Sequence, residues 1–229
     1  MPNQRIHMDL FGPCKTSDAG NKYVLTMTDA FTKYAEIVAI PNKEAVTVAD
    51  AIFTKWICRY GCPAIIHTDM GKEFINKITT ELYAKLDIKG SKTTPAHPQC
   101  NSQAEVFNKT LAKYMKTAVD ETTLNWEWYL APLMFSYNTS YHSTTKTTPF
   151  NLLYGMKPRL PSFPVEELQR INYGEGFVAE RMQLLQQARW MAETDSSVAS
   201  DKYKEQHDKT AKEHSFQVGD KSLLTINSS

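Results

Sequence analysis

Between Arg5 and Leu10 apolar side chains (Ile6, Met8, Leu10) alternate with polar ones (His7, Asp9), a period of two that suits a strand with one face on a core. Gly12-Pro13 stops the run. Tyr23 to Asp29 and Tyr34 to Ile40 are two more β-rich runs around Ala30-Phe31-Thr32-Lys33, so an antiparallel meander opens the chain. A helix comes next, with Asn42 as N-cap and Val48, Ile52, Trp56 and Tyr60 at near-helical spacing until Gly61 and Pro63. The short apolar run Ala64-Ile65-Ile66 leads as a fourth strand into His67-Thr68-Asp69; a helix from about Phe74 to Lys85 and a fifth strand from Ile88 to Thr93 follow. Past Pro98, Phe107, Leu111, Tyr114 and Ala118 form one apolar helical stripe, with Glu105, Lys109, Ala112 and Lys116 on the opposite side. Three strands followed by alternating helix and strand describe one mixed α/β sheet with helices for both faces.

Further helices are predicted at Trp126 to Tyr137 and at Phe150 to Tyr154, the second opened by Thr148-Pro149 and stopped by Gly155. Pro158, Pro161 and Pro164 mark a boundary. Beyond it Gly176 to about Lys212 is helix-compatible and polar, with Phe177, Met182, Leu185, Ala188 and Ala192 along part of one side, so it is expected to pack little against the rest. The division expected is a core of residues 1–160, a mostly helical extension of 161–214, and a short remainder of 215–229.

The 41% hydrophobic and 22% charged content is that of a globular chain, not a disordered or fibrous one. No apolar run approaches the ~20 residues that span a bilayer, and no membrane association is expected. Met1 to Arg5 lacks the apolar stretch of a signal peptide, so an intracellular, reducing setting is expected. Cys14, Cys58, Cys62 and Cys100 contain no C-x-x-C pair, which argues for free thiols rather than a zinc knuckle. Net charge is only +1, yet residues 70–116 hold eight lysines against four acids. A cluster of that kind favours phosphate contact, although a solvated face explains many charge runs.

Asp9 sits near the end of the first strand, Asp69 follows the fourth, and Glu105 lies on a helix with 35 residues between it and Asp69. Carboxylates are the hard oxygen ligands that Mg²⁺ or Mn²⁺ prefers, and two such ions can serve phosphodiester chemistry. Spacing by itself carries little, since a chain with 25 acids offers many triples.

The words around these acids carry more. His7-Met8-Asp9-Leu10-Phe11-Gly12-Pro13, His67-Thr68-Asp69-Met70-Gly71-Lys72-Glu73-Phe74 and Thr94-Pro95-Ala96-His97-Pro98-Gln99-Cys100-Asn101-Ser102-Gln103-Ala104-Glu105 resemble the three active-site motifs of retroviral and gypsy-class retrotransposon integrases. Thr147 to Gly155 looks like the segment that closes the core in gypsy-class elements, so the resemblance covers about residues 5 to 160. It implies an RNase H-like fold, a five-stranded mixed sheet followed by a helical extension. It also implies an enzyme that trims the 3′ ends of linear element DNA and joins them to target DNA. The implied metal-binding and catalytic acids are Asp9, Asp69 and Glu105, holding Mg²⁺ or Mn²⁺, two ions in all. Asn101, Lys109, Lys113 and Lys116 are the candidate DNA contacts. DNA as partner, a homo-oligomer on DNA and a nuclear location are expected with it.

The chain departs from the family pattern at Ser102, Val106 and Met70, where Gly, Arg and Arg are common; these positions bear on DNA placement rather than metal binding. Ser215 to Leu224 is similar to the opening of the family's C-terminal small β-barrel, expected here as a truncated start, and the family's N-terminal zinc-binding module is expected to be missing. Structural readings stand beside several of these residues. Lys109 pairs as well with Glu105 at i,i+4 as with phosphate. His97 suits a loop hydrogen bond, His7 and His67 suit structural roles on the faces of their acids, and Trp126, Trp128 and Tyr129 suit a core. Two rival readings remain open: a host-captured integrase relic that binds DNA or protein without catalysis, and a simple RNase H-like nuclease.

Overall fold

The computed structural model describes residues 1–68, 74, 76–92, 125–160 and 176–210. Five strands form one sheet: β1 (Arg5–Phe11), β2 (Tyr23–Asp29), β3 (Ala35–Ile40), β4 (Ile65–Thr68) and β5 (Lys89–Lys92), in the order β3-β2-β1-β4-β5. The meander β1-β2-β3 is antiparallel, and β4 and β5 add parallel to β1. Parallel neighbours need a crossover, which the helices between β3 and β5 supply.

The alternation read from Arg5 to Leu10 sorts the sheet into two faces. Ile6 and Met8 of β1, Leu25 and Met27 of β2 and Ile66 of β4 point to one side, where they meet α1 (Ala45–Ile52) and the turns after it. Val24, Ala35 and Ile37 point to the other, under Trp126, Leu130, Leu133 and Met134. Trp126 is fully buried and its indole N–H donates to the Lys15 carbonyl at 2.9 Å, so it is a core residue; Trp128 is 75% exposed.

The helix after β3 differs from the expectation at its start. The first residue outside α1 is Glu44, because the Asn42 carboxamide turns the chain two residues earlier, accepting from the Glu44 N–H at 3.0 Å and the Thr47 hydroxyl at 2.8 Å. Beyond Ile52 the helix widens into a π-helical turn, Phe53–Ile57, before α2 (Cys58–Tyr60). That turn buries Trp56 and Ile57 side by side, and Asn3 fastens it, accepting from the Trp56 indole at 2.9 Å and donating to the Tyr60 carbonyl at 2.8 Å.

Helix α3 (Lys77–Lys85) is opened by a capping box in which Asn76 accepts from the Thr79 N–H at 2.9 Å. The 3₁₀ turn Trp126–Tyr129 leads into α4 (Leu130–Thr139). Helix α5 (Pro149–Tyr154) has the expected Thr148 cap, with Gly155 in the left-handed region at φ 72°. Along the 34-residue α6 (Phe177–Thr210), Met182 is 58% exposed, whereas the stripe of Leu185, Arg189 and Ala192 is seated. Leu185 lies against Gly155, and the Arg189 guanidinium donates to the carbonyls of Leu152 and Leu153 at 3.2 and 3.3 Å. It thereby satisfies the last turn of α5.

Candidate active site

Asp9 sits two residues before the end of β1, half-buried, on the same face as His7. Its Oδ1 accepts from the Leu10 N–H at 2.8 Å, and its backbone carbonyl accepts from the Thr26 hydroxyl of β2 at 3.1 Å. The parallel pairing of β1 with β4 runs Arg5↔Ile65, Ile6↔Ile66, His7↔His67, Met8↔Thr68. The residue after the last pair is Asp9 on one strand and Asp69 on the other. Asp69, Asn101, Glu105, Lys109, Lys113 and Lys116 lie outside the described residues, as does His97. Among the described residues no group of three or more His, Cys, Asp and Glu is placed to hold a metal ion.

Directly beneath Asp9, His7 and His67 meet across the ladder. Their rings are T-shaped at 5.0 Å between centroids and 68° between planes, and they are 6% and 5% exposed. Burial pushes the His7 imidazole down to about 4, helped by the neighbouring His67, Lys33 and Arg5 charges. His67 is lowered by burial and then by Arg5, and its Nδ1 lies 3.2 Å from the Ser91 hydroxyl on β5. Both rings are therefore neutral at physiological pH. Paired as His7↔His67, they form a polar but uncharged floor between the strands that lead to the two acids. The spacing of each His two residues before an Asp signalled a shared face; that the two would touch depends on the register of β4, which no local pattern supplies.

Two other arrangements escaped the sequence reading. Asn138 of α4 reaches the edge strand, accepting from the Ala35 N–H at 3.0 Å and donating to the Ala35 carbonyl at 2.9 Å. On the opposite side of the sheet the Tyr83 hydroxyl is buried without a hydrogen-bond partner among the described residues. A buried hydroxyl left without a partner costs about 1–3 kcal/mol. Among the described residues Cys14, Cys58 and Cys62 are free.

Residues 1–98 match the integrase core domain family. The Retrovirus-related Pol polyprotein from transposon 412 of Drosophila melanogaster is 31% identical over 222 residues, 96% of this chain and 18% of that polyprotein. The Gypsy retrotransposon integrase-like protein 1 of Homo sapiens is 31% identical over 160 residues, 70% of this chain and 30% of that protein. The chain thus spans less than a third of either relative. In fold it is similar to the HTLV-2 integrase catalytic core domain, solved in complex with magnesium, at a TM-score of 0.55 and 16% identity, covering 67% of this chain and 98% of that one. The BIV integrase catalytic core domain aligns at a TM-score of 0.52 and 21% identity, over 66% of this chain and 93% of that one. With a five-stranded mixed sheet of the RNase H-like type and these relatives, the chain carries an integrase core domain of the retroviral and gypsy-retrotransposon kind.

Proposed function

We propose that this chain is the core of a DNA integrase, a polynucleotidyl transferase that trims the 3′ ends of linear retroelement DNA and joins them to target DNA. The observation that carries the reading is the β1–β4 ladder, parallel through Met8↔Thr68 with an acid as the next residue on each strand. One further step of the same register would set Asp9 beside Asp69 on one face of the sheet. Glu105, with 35 residues between it and Asp69, is the third acid of the motif. Asp9, Asp69 and Glu105 would hold Mg²⁺ or Mn²⁺, as two ions, which when bound supply Lewis-acid polarisation of phosphodiester oxygens.

The chain's own groups do the rest. The carboxylates concentrate negative charge at the strand ends. The neutral His7 and His67 beneath add no cation to compete for that charge. Asn101, Lys109, Lys113 and Lys116 would contact DNA, setting its position through phosphates without reading sequence. Water is the nucleophile in trimming and the 3′-hydroxyl in joining, so no covalent enzyme intermediate forms.

A gel assay with labelled element ends and Mg²⁺ or Mn²⁺ tests the proposal. Shortened 3′ ends and longer joined products, both lost in Asp9→Asn, support it; nicking with no joined product would instead indicate a simple nuclease. The likeness to an integrase-like protein of Homo sapiens favours a second reading, a captured core that binds DNA or protein without catalysis. DNA binding with no product of either kind in the same assay would establish that one. An oligomer assembled on DNA and a nuclear location belong to the first reading. Light scattering of the chain with and without duplex, and imaging of the tagged chain, test them in turn.

A further inference from the structure

We propose that the cleft between α3 and β5 is a nucleobase subsite, receiving one unstacked base of the DNA on which this core acts; the DNA part of this rests on the reading above. The cleft holds about 350 Å³, at the lower end of small-ligand pockets. Its size suits a single ring system, too small for a peptide segment or a stretch of duplex. The walls are apolar, with Ile66 of β4, Phe74 and Ile88 on the lining. Thr68 and Thr80 join them, while Ser91, whose hydroxyl lies 3.2 Å from His67 Nδ1, borders the cleft from β5. Tyr83 lines it too, 9% exposed, with a hydroxyl that no described residue satisfies.

Apolar walls with a hydroxyl-bearing perimeter match a heteroaromatic base, which has apolar faces and a polar edge. Hydroxyls both donate and accept, so such a perimeter takes any base without selecting one. The described residues that line the cleft are uncharged. The exposed Lys85 and Lys89 adjoin lining residues in sequence, Ala84 on one side and Ile88 and Gly90 on the other. They suit the phosphates on either side of an inserted base. Thr68, at the end of β4, brings the cleft to within one residue of Asp69. The Met8↔Thr68 pairing puts the cleft on the face of the sheet opposite Asp9, so a base held there would grip the strand as it passes the end of β4 rather than at the reacting phosphate.

The test uses the full chain and two probes. Saturation-transfer NMR with 2′-deoxyadenosine and thymidine, with 2-deoxyribose as control, reads the subsite without DNA. Anisotropy of a labelled duplex carrying a frayed end reads the DNA arm. Wild type should show transfer to base protons and none to the free sugar. Ala84→Trp, which fills the cleft from an exposed helix position, should abolish that transfer and weaken duplex binding. Tyr83→Phe keeps the ring and fold, and should weaken nucleoside binding roughly fivefold, the value of one neutral hydrogen bond. Absence of nucleoside transfer in wild type, or transfer unchanged in both variants, overturns the subsite, as does occupancy by toluene with no nucleoside binding. If nucleosides bind and Ala84→Trp blocks them while wild type ignores duplex DNA, the subsite stands as a nucleoside site and the integrase reading fails.

Discussion

The imidazoles of His7 and His67 meet edge to face 5.0 Å apart across the parallel pair β1–β4, both held neutral by burial. Because His7 is pushed from 6.5 down to about 4, the unfolded chain takes up a proton between those values that the folded chain refuses. The contribution to stability is whole above pH 6.5, erodes as pH falls, and is gone below 4. A shift of this size corresponds to a loss of about 3 kcal/mol for His7. Urea midpoints at pH 7.5 and 5 should differ in wild type, and the difference should shrink in His7→Leu. An unchanged pH dependence in that variant would assign the slope to other groups.

Asp9→Asn separates fold from chemistry. The amide oxygen can still accept from the Leu10 N–H as Asp9 Oδ1 does, so the unfolding free energy read from urea titration should change by no more than about 1 kcal/mol. Trimming and joining should fall by more than about 100-fold, beyond the range seen when residues merely supporting a metal ligand are changed. Any rise in melting temperature produced by Mg²⁺ or Mn²⁺ in wild type should vanish. Residual activity near wild type would remove Asp9 from the metal site.

Much of the sheet was legible because each strand declares its faces by alternation, and the meander keeps sequential strands adjacent. Thr148 and Gly155 likewise fix the ends of α5 by local chemistry alone. What escaped depends on partners far along the chain. The π-helical turn at Phe53–Ile57 is fastened by Asn3, some fifty residues earlier, and nothing in its own five residues announces it. Asn138 carries no local sign that it will reach Ala35, 103 residues away. Asn42 shows a subtler limit: a good capping residue was identified, but its side chain closes a turn ahead of the helix instead of the helix itself. For the site, the motif words named the acids, while the ladder contributes the register that aligns their strands.

Lys109 and Lys116 fall on the Glu105 side of their predicted helix, opposite Phe107, Leu111 and Tyr114. Changed singly to Glu, each should leave stability within about ±0.5 kcal/mol. Duplex affinity should drop and the log–log salt slope should weaken by roughly 0.9 for each phosphate contact removed. A variant that unfolds readily while the slope stays constant would identify a structural ion pair instead.

Asn138→Ala removes both hydrogen bonds to Ala35, whose amide group is buried. Leaving its N–H and carbonyl without partners should cost about 2–4 kcal/mol. Asn138→Asp sets a buried carboxylate against the Ala35 carbonyl, so it should cost at least as much as Asn138→Ala at neutral pH and recover part of the loss as the carboxyl is protonated, by equilibrium unfolding. Wild-type stability of Asn138→Asp at neutral pH would show that the donor arm contributes nothing.

That amide has a second consequence, for the molecule in company. Strand β3 ends the sheet, and an open strand edge is a template on which strands of other molecules can add. By bonding both polar groups of Ala35, Asn138 acts as a decoy strand one residue long, occupying the first rung that an intruder would need. Helix α4 thus serves as a stopper against sheet growth from copy to copy, and truncating that one side chain exposes a nucleus for aggregation even in a chain that remains folded.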